Sequence, residues 1–148
     1  EEVRRYGLSI ASSAEATDWY AYFTIESYKG KKARVVASKA TTAQLSELQA
    51  LHNELEKAVT QRERFFEINE AFHMRLLEIA NNRWRDQMVA DLRKGMKLNR
   101  HNSLLKSGRL EESLGEHRAL MAALAARDAD AAAQHMREHF RNGLGAAG

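Results

Sequence analysis

Phe65, Ile68, Phe72, Leu76 and Ile79 recur at the helical period, which makes this stretch an amphipathic helix with one buried face. Asn69 and His73 border that apolar stripe one turn apart, so both side chains turn inward. A buried polar group either finds a partner or costs free energy. The pair therefore either hydrogen-bonds within the core or holds something else.

The same period recurs along the chain. A first helical region runs from Thr17 to Ser38, with Trp19, Tyr22, Phe23, Ile25, Ala33, Val36 and Ala37 as its apolar residues, and Gly30 marks a place where it would bend. Thr41 followed by Gln44 is a capping-box signature, and Leu45, Leu48, Leu51, Leu55 and Val59 trace the second helix, with His52 at the stripe's boundary. The third, from Gln61 to Ala80, ends at Asn81-Asn82, residues that tolerate the left-handed conformation. Trp84, Met88, Leu92 and Met96 mark a fourth reaching His101, on which Arg93, Met96 and Arg100 share a face. A fifth carries Leu110, Leu114, His117, Met121 and Leu124. Arg127-Asp128 closes it and caps a sixth, which runs to Leu144 with Ala132, Met136, His139 and Gly143 on its inner stripe. Gly143, Gly145 and Gly148 then dissolve the end.

A chain of 148 residues with no proline accommodates these helices in one domain, with a core large enough to stabilise it. Residues 1–14 lack periodicity and read as a linker. The expected fold is an all-α antiparallel bundle.

Three helices thus each present an inward histidine: His73, His117 and His139. Taken singly, each is most simply a hydrogen-bonded core residue. Together they match a metal site of three imidazoles and one oxygen ligand, best suited to zinc, with nickel, manganese, iron or copper as alternatives. The absence of cysteine removes thiolate sites and disulfides, leaving histidine and oxygen donors. His135, four residues before His139, is the reserve ligand.

Asn69-x-x-Phe72-His73, Asn82, Glu116-His117-Arg118-Ala119-Leu120, Ala125-x-Arg127-Asp128-Ala129 and Met136-x-x-His139 together resemble the FCD domain, the C-terminal effector-binding and dimerisation domain of FadR-type regulators in the GntR superfamily. The resemblance covers residues 17–144, within a domain placed at 15–145. It implies a bundle of six or seven helices around a central cavity that holds a divalent metal. The implied ligands are Asn69, His73, His117 and His139. It also implies a small organic acid as effector, a homodimer, and DNA contact only through an N-terminal winged helix-turn-helix domain absent from this sequence. Where the family often has aspartate, this chain has Asn69; a neutral ligand set leaves the ion's charge uncompensated and favours an anionic effector. Tyr22 stands where the family commonly has arginine, one turn before Glu26, so the effector set is expected to differ. Arg93 and Arg100, whose guanidinium forks suit a carboxylate, are the candidate effector contacts beside it.

The net charge of +3 is spread out and gives little support for nucleic-acid binding by this segment. No run approaches the ~20 apolar residues of a membrane span and no signal-peptide core follows the first residues, so a cytoplasmic protein without membrane contact is expected. Two other functions compete with the sensor: a metal-dependent hydrolase and a metal-free helical interaction module. No Glu-x-x-His or His-Glu-x-x-His motif supplies a general base, and Glu70 and Glu116 are expected to point away from the ligands, which argues against an enzyme.

Overall fold

The computed structural model describes residues 14–81, 87 and 104–147. Five helices occupy them: α1 (Ala14–Lys39), α2 (Thr42–Lys57), α3 (Arg62–Ile79), α4 (Arg109–Ala125) and α5 (Ala129–Ala147). The described residues contain no strand, and among them no helix is long and apolar enough to cross a membrane. Of the expected fourth helix only Gln87, which is helical, belongs to the described residues; Asn82, Arg93 and Arg100 lie outside them.

Local chemistry sets the helix ends. Thr41 Oγ1 accepts the Gln44 N–H at 3.1 Å while Gln44 Oε1 accepts the Thr41 N–H at 2.9 Å, completing the capping box. Asn81 takes the left-handed conformation with φ 47° just past α3. At the α4–α5 corner Arg127 also turns left-handed, with φ 59°, and Asp128 Oδ1 accepts the Ala131 N–H at 3.0 Å to start α5. The α5 helix passes through Gly143 and Gly145 instead of dissolving there. Glycine lowers helix propensity but removes no hydrogen-bond donor.

Among the described helices, α1 and α5 make the most extensive pair. Ala33, Val36 and Ala37 of α1 are fully buried, as are Ala132, Ala133 and Met136 of α5. α1 runs through Gly30 without a break, and the residue's role is space rather than bending. A Cβ there would meet Arg137 Cγ at 2.8 Å and the Ala133 carbonyl oxygen at 3.3 Å. Gly30→Leu must therefore displace Arg137 and push the helices apart, at a cost of about 2 kcal/mol measurable as a lowered urea midpoint; an unchanged midpoint would show that the pair has slack.

Among the described residues, buried apolar side chains gather in two clusters. One joins α1 and α5 to Leu48, Phe72, Leu76, Leu120, Met121 and Leu124. The other gathers Leu55, Ala58, Phe65, Phe66, Leu104 and Leu114. Along α2 the residue between Leu48 and Leu55 that is also buried is His52; along α3 it is His73 beside Phe72, and along α4 it is His117 between Leu114 and Leu120. Along α2 and α4, His52 and His117 thus lie between residues of the two apolar groups, while His73 follows Phe72 in the first.

Candidate metal centre

Three helices bring three buried histidines together. α3 supplies Asn69 and His73 one turn apart, α4 supplies His117, and α5 supplies His139. His117 is fully buried, His73 is 2% exposed and His139 9%. One potential ligand atom from each imidazole lies within 4.8 Å of the others. The ring centroids are 5.2 Å apart for His73 and His117, 5.0 Å for His73 and His139, and 4.6 Å for His117 and His139.

The donor atoms face each other in two close pairs. His73 Nε2 lies 3.0 Å from His139 Nε2, and His117 Nε2 lies 2.8 Å from Asn69 Oδ1. Adjacent ligands at ordinary metal–nitrogen and metal–oxygen lengths are about 3.0–3.4 Å apart. Each pair is thus spaced as two ligands of one ion would be, and the three imidazoles could share an ion once their donor atoms, within 4.8 Å of one another, draw closer. The set of neutral imidazoles and an amide oxygen fits zinc and its neighbours in the first transition series better than magnesium or calcium.

Electrostatics keep the imidazoles in the form that ligates. Burial pushes the His117 pKa well below the usual value, and the positive charges of neighbouring groups add to the effect. Burial likewise lowers that of His139, outweighing the opposing pull of Glu116. Both rings are neutral near neutral pH, the state from which a metal takes a histidine.

Glu116, expected to point away, and Arg109, not singled out in the sequence, complete the surroundings. Glu116 does not point away from the ligands: its Oε2 accepts from His139 Nδ1 at 2.6 Å. Arg109, only 2% exposed, forks onto the same carboxylate with both bonds at 2.8 Å, and Asn142 Nδ2 donates to its Oε1 at 2.9 Å. Burial alone would raise the Glu116 pKa, but the bonds from His139 and Arg109 prevail and hold it at about 2. The available signal was spacing, since Arg109 and Glu116 are two turns apart on one face of α4. A cleft of about 560 Å³, edged by Lys106 and Arg141, opens over Glu116 and Asn142.

His52 is buried rather than at a boundary; its ring is parallel to His117, with centroids 6.5 Å apart. His135 stands away from the cluster, half-exposed, with Nδ1 3.6 Å from Glu138. On an α5 whose His139 faces the core, its own position lies one turn earlier and rotated toward solvent. Tyr22 falls within α1.

The FCD domain family matches residues 30–142 of the chain. Among solved structures, the chain is similar to Streptococcus agalactiae GntR, with a TM-score of 0.74 and 21% sequence identity. The alignment covers 92% of this chain and 62% of that one, so the chain spans less than two thirds of its structural relative. At this identity the likeness is one of fold. No curated protein matches the sequence.

Proposed function

The chain belongs to the FCD domain family, and we propose that it is the effector-sensing domain of a GntR/FadR-type transcription regulator, binding one divalent metal ion and a small organic acid. The observation that carries this reading is the convergence of three buried imidazoles from three helices. Asn69 Oδ1 and the Nε2 atoms of His73, His117 and His139 would hold the ion, with zinc the best fit and nickel, manganese or iron the alternatives. A bound ion supplies positive charge for a carboxylate. The chain's own part is to present neutral donors, which leave that charge uncompensated.

In this reading residues 15–145 are the sensing domain and 1–14 the linker to the rest of the regulator. Tyr22, Arg93 and Arg100 are proposed to contact the acid. The regulator acts as a homodimer and touches DNA through a winged helix-turn-helix domain outside this chain. The acid controls the regulator only by favouring one arrangement of the helices over another. The domain is proposed to have no catalytic role. Glu116 is the carboxylate nearest the histidines in the described site, and Arg109, Asn142 and His139 all bond to it. A carboxylate so occupied, with its pKa at about 2, is a poor general base.

Metal analysis of the purified protein, followed by calorimetry with a panel of organic acids, tests the proposal. Wild type is expected to hold about one divalent ion per chain, and His73→Ala to lose both the ion and the acid response. A protein that holds no divalent metal, with acid binding indifferent to His73→Ala, would refute the reading. Ester or amide turnover abolished by that substitution would favour an enzyme instead.

A further inference from the structure

Resting on the metal reading above, we infer that Glu116, locked by Arg109 and Asn142, is the positioning residue of the centre: it sets the tautomer and orientation of His139. A neutral imidazole carries one proton, on either nitrogen. The Glu116 carboxylate can only accept, so at 2.6 Å from Nδ1 it holds the His139 proton there. The Nε2 lone pair is then left facing His73 Nε2 at 3.0 Å. Of these two facing nitrogens, one carries the proton in the metal-free protein, and Glu116 assigns it to His73.

The carboxylate can do this because it is itself fixed. Arg109 grips it with two bonds of 2.8 Å from a buried guanidinium, and Asn142 adds a third at 2.9 Å. This leaves it one orientation, with Oε2 toward His139. Were the proton to move to His139 Nε2, the hydrogen bond between the two rings would reverse, and His139 would have to shed or shift that proton before it could ligate. A carboxylate behind a histidine ligand also raises its basicity, and loss of such a partner weakens metal binding about 10–100-fold.

The test uses the full chain, stripped of metal and titrated with zinc against a competing chelator. Glu116→Gln keeps the shape but removes the charge; zinc affinity is expected to fall about 10–100-fold. In long-range ¹H–¹⁵N spectra, His139 should be the Nδ1–H tautomer in wild type and a mixture of Nδ1–H and Nε2–H tautomers in the variant, a change that loss of packing alone would not produce. Should Glu116→Gln not fold, Asn142→Ala removes one exposed support and is expected to weaken zinc about 3-fold. Wild-type zinc affinity and an Nδ1-protonated His139 retained in the variants would overturn the positioning role while leaving the metal site standing. Failure of wild type to bind zinc or any divalent ion would remove the site and this role together.

Discussion

Arg109→Ala is expected to lower the unfolding free energy by about 3–5 kcal/mol, because it leaves the Glu116 carboxylate without the guanidinium that compensates its burial. Arg109 is 2% exposed and forms two of the three bonds that restrain Glu116 apart from the one to His139. The loss belongs to the uncompensated partner more than to the pair itself. Replacing both residues, Arg109→Met with Glu116→Met, should therefore restore part of the stability lost in the single variant. Urea unfolding with an unchanged slope is the measurement. A loss below about 1 kcal/mol would mean that water entering from the neighbouring cleft solvates the carboxylate well enough to replace the arginine.

The second large effect is on acid stability. In the folded protein His117 and His139 have pKa values below the 6.5 of a free imidazole. As pH falls below 6.5, the unfolded chain takes up protons that the folded one refuses, so stability is lost progressively toward the lowered folded values. Glu116 continues the trend: ionised in the fold down to about 2 but protonated near 4.5 when unfolded, it contributes stability above 4.5 that disappears as pH falls through about 2. After allowance for its solvent-facing side, that contribution is about 2 kcal/mol. Urea midpoints measured in chelator should fall steadily from about pH 7 to about pH 4. A flat profile would show that the buried imidazoles are protonated in the fold or replaced by solvated conformers.

Much of the bundle was legible because its signals are local. Thr41 and Gln44 are three residues apart, and the left-handed turn at Asn81 depends on one residue's backbone freedom. The inward placement of His73, His117 and His139 followed from period alone, since each interrupts an apolar stripe on its own helix. What period could not supply was distance between helices. Glu116 is adjacent to an inward residue, and a helical wheel turns neighbours apart; only the position of α5 brings His139 against it. Gly30 misled for the same reason, because the atoms that need its missing side chain, in Arg137 and Ala133, lie more than a hundred residues away. His52 was placed at a boundary because nothing on α2 indicates that α4 covers it with His117.

The seam between α1 and α5 has a mechanical consequence. It is built from alanines and a glycine with no room for a methyl group at Gly30, and its rim is pinned by the Arg34–Asp130 ion pair. Arg127 also donates from the corner before α5 to the Ala37 and Ala40 carbonyls at the end of α1. Surfaces packed this closely do not slide over one another without opening voids. A displacement of α5 at His139 therefore carries α1 with it as one stiff lever, with Ala14 at its far end.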